Sequence, residues 1–105
     1  MDEMDQTQVA CFEIISNVGM ARSCYIEAID AANAGDIEGA QGKLEEGQQY
    51  FLAGHAKHGE MISREASGDH VEPSIILIHA EDQLMSAETF KILAEKFIDL
   101  AKRLA

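Results

Sequence analysis

Apolar residues in the last third of the chain follow a seven-residue repeat, which is typical of a helix that packs against other helices. The chain is rich in helix-forming residues, and it lacks the runs of valine, threonine and aromatic residues that favour strands. Two glycine-containing turns divide it into three parts of similar length. The sequence therefore predicts one all-α domain over residues 1–105, with three long helices at about 3–34, 36–67 and 73–104. Short connections make consecutive helices antiparallel neighbours.

The two predicted turns carry the residues that end and begin helices. Gly35 can end the first helix in the left-handed conformation, and Asp36 can cap the second. Gly68 ends the second helix in the same way. Pro73 suits the first turn of the third helix, where its missing N–H is not needed.

The third predicted helix has two apolar seams. A second, shorter seam contains Ile78, Met85 and Ile92. One seam is enough for the core of a three-helix chain, so the second indicates contact with another chain. The main seam has Lys91 as its exception and otherwise comprises Leu77, Ala80, Leu84, Ala87, Ala94, Ile98 and Ala101.

Asp82 lies on the second seam, where a carboxylate is costly to bury unless it is paired, protonated or bound to a cation. If the helix packs against symmetry copies, several Asp82 carboxylates would converge on one axis. Such a cluster could bind Mg²⁺ or another hard cation. The alternative is that Asp82 faces water at an edge, and periodicity alone favours this simpler interpretation.

The 105 residues include 19 acidic and 8 basic side chains, a formal net charge of −11. This balance argues against binding to nucleic acid or to an anionic membrane surface, since both require Lys and Arg. It suits a basic protein partner, although acidity can also serve solubility alone. The acidic start does not resemble a signal peptide, and no apolar run reaches transmembrane length. We therefore expect a cytoplasmic protein without direct membrane insertion.

Cys11 and Cys24 are the two cysteines of the chain, and both fall on the first predicted helix. A spacing of thirteen residues along a helix separates them by roughly 20 Å, too far for a disulfide within one chain. Free thiols fit the reducing cytosol.

Three of the four histidines do not specify a function, although two of them allow alternatives. His55 and His58 are one helical turn apart, so both could bind one metal ion in a non-catalytic helical adaptor. His55, followed by Gly59, also weakly resembles the acceptor of a histidine phosphotransfer signalling domain, and ordinary surface histidines explain the pattern equally well. His70 falls in the second turn, where we expect exposure to solvent and assign no role.

His79 lies beside the apolar seam of the third helix, with polar residues close to it in sequence. Gln83 at i+4 can reach its ring, and Asp82 at i+3 can influence its charge or tautomer. A single helical histidine is more often structural than catalytic. The polar neighbours weaken that interpretation without overturning it.

Residues 77–85 read Leu-Ile-His-Ala-Glu-Asp-Gln-Leu-Met. They resemble the active-site stretch of the lactose/cellobiose-specific IIA family of bacterial sugar phosphotransferase systems, in which an aliphatic run precedes His-Ala/Gly-Gln-Asp-His-Leu-Met. Further segments match the family in order, so the resemblance covers nearly the whole chain. They are Gly-Met-Ala-Arg-Ser at 19–23, Ala-Gly-Asp at 34–36, His55, Glu-Ala-Ser-Gly at 65–68 and residues 98–104.

The resemblance implies a homotrimer with a nine-helix bundle. It implies that His79 accepts phosphate from the phosphohistidine of HPr and passes it to a cysteine of the cognate IIB protein. It also implies that Asp82 binds a divalent cation, Mg²⁺ by preference, on the trimer axis. We expect Gln83 and Ser86, the nearest donors on the same helix, to assist the phosphoryl group together with His55.

The chain departs from the family pattern close to His79. Gln83 stands in place of the usual histidine, and Glu81 in place of the usual glutamine. Glu81 is therefore expected to add negative charge close to a phosphohistidine. His58 and Gly59 replace the usual Gln-Thr after His55.

Overall fold

The computed structural model describes residues 5–105 as a bundle of three helices with principal extents of 57 × 26 × 19 Å. The helices are α1 (Gln6–Asn33), α2 (Ile37–Ala66) and α3 (Ile75–Leu104), and no strand occurs in this range. The all-α prediction is thus confirmed, with every helix boundary within three residues of its predicted position. Positions 3 and 4 of the predicted first helix lie outside the described residues.

Side-chain caps set where the helices begin. Asp5 starts α1, because its carboxylate accepts hydrogen bonds from the backbone N–H groups of Thr7 and Gln8 at 2.7 and 3.0 Å. Ser74 starts α3 by accepting from the N–H of Leu77 at 3.1 Å. Placing Pro73 in the first turn of α3 was therefore wrong. The Ser74 side chain provides the cap, and Pro73 stands before it.

Both turns contain a glycine in the predicted left-handed conformation, and the first turn also contains the predicted cap of α2. Gly35 adopts a φ of +82°, and Gly68 in the second turn adopts +94°, values that L side chains rarely take. Asp36 caps α2 by accepting from the N–H of Gly39 at 2.9 Å. The two turns therefore reverse the chain tightly and make consecutive helices antiparallel, which leaves α1 and α3 parallel.

The core runs along α1, and α2 approaches it closely at two glycines. A Cβ atom on Gly47 would lie 2.7 Å from the Tyr25 ring, and one on Gly54 would lie 2.7 Å from Cγ1 of Val18. The Tyr25 side chain is fully buried, and its hydroxyl donates to Oε1 of Gln48 at 3.3 Å. These contacts require glycine in α2 because a larger residue would push the two helices apart.

The main seam of α3 faces this core as predicted. Both cysteines are buried and unpaired, which also agrees with the sequence analysis. Within residues 5–105, no helix has the length and apolar character needed to cross a membrane. The buried members of the α3 seam are Ala80, Leu84, Ala87, Ala94 and Ile98.

Candidate functional site

The structure places His79 on the fifth residue of α3, with its side chain exposed to solvent. Within residues 5–105, the histidine side chains that take part in hydrogen bonds are His58 and His70, so the His79 ring has no such partner. The backbone beneath it is regular helix that begins at the Ser74 cap. An imidazole that is exposed, unbonded and carried on a helix can serve as a nucleophile toward a group brought by another protein.

Gln83 and Ser86 continue along the flank of α3 that carries His79. Both side chains are half-buried. They lie about 6 and 10 Å further along the helix axis and within about 40° of His79 around it. Phe90 follows on the same flank, beneath the guanidinium of Arg22 from α1, which is 5.1 Å from the ring centroid. The two predicted donors therefore share a surface with His79, and this surface borders α1.

Asp82 is exposed on the second seam, between the exposed side chains of Ile78 and Met85. Ile78 is 62%, Met85 68% and Ile92 49% exposed, so a single chain leaves this seam uncovered. Among the described residues of one chain, no cluster of three or more metal-ligating side chains occurs. In the single chain, Asp82 therefore faces solvent.

Glu81 takes a different position from the expected one. Its Oε2 lies 2.8 Å from Nε2 of His58 on α2, a distance typical of a strong hydrogen bond donated by the imidazole. Residues two apart on a helix are separated by about 200°, so Glu81 and His79 lie on opposite flanks of α3. We expected Glu81 to add negative charge close to His79. The structure corrects this expectation, because the Glu81 carboxylate points toward α2 and away from His79.

Sequence reasoning treated His58 and Glu81 as separate departures and missed their contact. The sequence did contain a signal for this contact. His58 and Glu81, which can pair with each other, both replace uncharged residues of the family pattern. The structure shows that the two replacements meet.

His55 lies on the exposed side of α2, next to the Phe51 ring at a centroid distance of 5.8 Å. It forms no hydrogen bond with His79 within the described chain. His58 is engaged by Glu81, so the two α2 histidines do not form a shared metal site with a third ligand in this part of the chain. His70 is exposed, as predicted, with Nε2 3.0 Å from Oε2 of Glu72.

Burial makes the two thiols poor competitors for a phosphoryl group. It raises the pKa of Cys11, with smaller contributions from Asp5 and Glu81. It also raises the pKa of Cys24, to which nearby Glu46 and Glu27 add. Both thiols therefore stay protonated and enclosed at neutral pH.

The basic residues at the His79 end of the bundle are already paired with acids of the same chain. Lys57 lies 3.4 Å from Glu13, and Arg64 lies 3.0 Å from Asp69. The chain as a whole carries a formal net charge of −11, and such a negative field favours a partner with a basic face.

The chain is similar to known proteins over nearly its whole length. Residues 9–102 match the family model described as "PTS system, Lactose/Cellobiose specific IIA subunit". The lichenan-specific phosphotransferase enzyme IIA component of Bacillus subtilis (strain 168) is 37% identical over 103 residues, which cover 98% of this chain and 91% of that protein. The lactose-specific EIIA component of Staphylococcus aureus is 33% identical over 99 residues, with coverage of 94% and 96%.

The same similarity appears in three dimensions. The crystal structure of the PTS cellobiose-specific enzyme IIA from Bacillus anthracis superposes with a TM-score of 0.92 at 38% sequence identity. The alignment covers 97% of this chain and 94% of that one. The whole bundle therefore matches, and the similarity is not confined to the motif around His79.

Proposed function

We propose, from the premise that this chain belongs to the lactose/cellobiose-specific IIA family of the sugar phosphotransferase system, that His79 carries the phosphoryl group. Membership makes the chain a phosphotransferase component and a phosphocarrier in sugar uptake. The observation that carries the assignment of His79 is its exposed and unbonded imidazole within the motif at residues 77–85. HPr as donor and a IIB protein as acceptor are the partners that we propose.

In the proposed reaction the phosphoryl group passes from a histidine nitrogen of HPr to a nitrogen of His79, and then to a cysteine sulfur of IIB. A neutral ring nitrogen of His79 attacks the phosphorus of phosphorylated HPr, and the P–N bond to the HPr histidine breaks as the new one forms. A cysteine thiolate of IIB then attacks the same phosphorus and releases the His79 imidazole. Catalysis of such a transfer rests on alignment and on donors around the equatorial oxygens.

Gln83 and Ser86 are the donors that we assign to the phosphoryl group. The Gln83 amide and the Ser86 hydroxyl share the flank of His79 and can donate hydrogen bonds to oxygens of a group attached to its ring. We assign a supporting role to His55 as well. In the described chain it forms no hydrogen bond with His79, so its contribution would come from a neighbouring copy.

Self-association and cation binding form a second part of the proposal. The uncovered seam of Ile78, Met85 and Ile92 supports a homotrimer in which three α3 helices meet. Asp82 on that seam would then supply one carboxylate from each copy, a donor set of hard oxygens that suits Mg²⁺. The cation would offset the repulsion among those carboxylates and so hold the copies together.

Phosphate mapping tests the assignment of His79. Purified protein is incubated with ³²P-labelled phospho-HPr, and the wild type is compared with His79→Gln and with His70→Gln as a matched control on an exposed histidine. We expect acid-labile label on the wild type and on His70→Gln, and none on His79→Gln. Wild-type labelling of His79→Gln would refute the proposal. Label on His55 would instead support the phosphotransfer signalling alternative.

The alternatives have weaker support. A metal-binding adaptor would use His55 and His58 together, yet His58 is occupied by Glu81. The signalling alternative lacks any similarity among the comparisons reported above. The family match and the geometry of His79 both favour the phosphocarrier.

A further inference from the structure

The start of α3, which carries His79, packs against the core on one face only. Ile76 and Leu77 are half-buried and pack against the main core cluster, and Ala80 is the first fully buried residue of the helix. Ile75 is 87% exposed and Ile78 is 62% exposed. Hydrophobic burial therefore holds one face of this turn and leaves its other face without apolar contacts in the single chain.

The contact between His58 and Glu81 fastens this turn to α2. It is the one side-chain hydrogen bond or ion pair that joins α2 to α3 within residues 5–105. The His58 side chain is 19% exposed and that of Glu81 is 45% exposed, so water screens the contact in part. Lys57, the neighbour of His58, is directed to Glu13 and Glu60 and does not replace it.

The geometry links this contact to the acceptor. Glu81 follows His79 by two residues, so fixing Glu81 against α2 fixes the backbone turn from which His79 projects on the other side. The pair also lines a groove between α2 and α3 that has Leu77 and Ile78 on its α3 wall. Loss of the contact would remove the polar link that holds this wall and the turn against α2, and would leave the apolar contacts of Ile76 and Leu77 to hold them.

We propose that His58 and Glu81 are positioning residues for His79, and that their hydrogen bond orders the first two turns of α3 so that the acceptor imidazole is presented in one orientation. The role of His79 itself rests on the proposed function. The ordering of the turn is a property of the unphosphorylated protein and can be measured without any phosphate donor.

The experiment compares variants that break the pair from either side. His58→Ala and Glu81→Ala remove one partner each, the double variant removes both, and Glu81→Gln keeps a hydrogen bond to His58. Glu27→Ala, which breaks the partly exposed pair with Lys43 at the far end of the bundle, is the matched control. For each protein, amide hydrogen exchange is measured over residues 77–82 and over 92–98, together with the initial rate of labelling by phospho-HPr.

A partly exposed pair shifts a local opening equilibrium by up to about fivefold. We expect exchange at residues 77–82 to speed up by about twofold to fivefold in His58→Ala and Glu81→Ala, with no larger change in the double variant. Exchange over 92–98 should stay at the wild-type rate. Glu81→Gln and Glu27→Ala should keep the wild-type exchange at 77–82. Labelling should slow in both alanine variants of the pair.

Four results would overturn the proposal. Unchanged exchange at residues 77–82 in both alanine variants would show that the pair does not order the turn. Equal acceleration over 77–82 and 92–98 would show a global effect on stability instead of positioning. Opposite changes in labelling rate for His58→Ala and Glu81→Ala would show that the carboxylate acts through its charge alone. A loss of labelling in His79→Gln with no effect of the pair would sink this inference and leave the proposed function standing.

Discussion

Replacing Gly47 by alanine tests the close approach of α1 and α2. An added Cβ atom would lie 2.7 and 2.9 Å from two atoms of the Tyr25 ring and 3.0 Å from Cβ of Cys24. The ring cannot move easily, because it is fully buried and its hydroxyl is bonded to Gln48. Overpacking of this kind costs about 1–3 kcal/mol, against a gain of about 1 kcal/mol from replacing glycine by alanine in a helix.

The expected net change for Gly47→Ala is a loss of up to about 2 kcal/mol, or a fall in Tm of several degrees for a domain of this size. Gly42→Ala is the matched control. It lies on the same helix with no atom within 4 Å of the added Cβ, so it should gain helix propensity and raise Tm. Thermal unfolding followed by circular dichroism measures both. A rise in Tm for Gly47→Ala equal to that of Gly42→Ala would refute the close-packing argument.

Three further predictions concern pH, assembly and capping. The environment of Tyr25 raises its pKa from 10 to about 12, mainly through burial, so its contribution to stability is complete below pH 10 and is lost as pH rises toward 12. Urea unfolding at pH 9 and 11.5 should show this loss in the wild type and less of it in Tyr25→Phe; equal losses would contradict the assignment. Asp82→Leu should keep or strengthen the proposed homotrimer in sedimentation equilibrium while abolishing any stabilisation by Mg²⁺, and a monomer would show that the cation is needed for assembly. Ser74→Ala should cost about 1 kcal/mol by removing the cap of α3, measured as faster amide exchange at Leu77; unchanged exchange would show that the cap is dispensable.

Most of the fold could be predicted from the sequence because the residues that end the helices are unambiguous. Gly35 and Gly68 adopt the left-handed conformation that few other residues tolerate, and the seam of α3 is buried at the predicted positions. The error at Pro73 arose because the sequence placed two helix-start signals side by side. Ser74 provides a side-chain acceptor for a backbone N–H, which proline in the first turn does not require.

The site was predicted in part. Exposure of His79 beside the core seam follows from helical periodicity, so its position could be anticipated from the sequence. The contact between His58 and Glu81 could not, because it depends on the register of α2 against α3. That register depends on how α2 packs against α1, through contacts such as Gly54 against Val18, which have no periodic signature.

The regular helix around His79 has a consequence for how a phosphoryl group would be retained. Beyond the first turn, each main-chain amide of α3 is already committed to the carbonyl one turn earlier, beginning with Ile78 bonded to Ser74 at 3.0 Å. No peptide cradle of the kind that grips nucleotide phosphates can therefore form at this position. A phosphoryl group on His79 would be held by a few side-chain donors alone, and such weak retention suits a protein that must release the group soon after it accepts it.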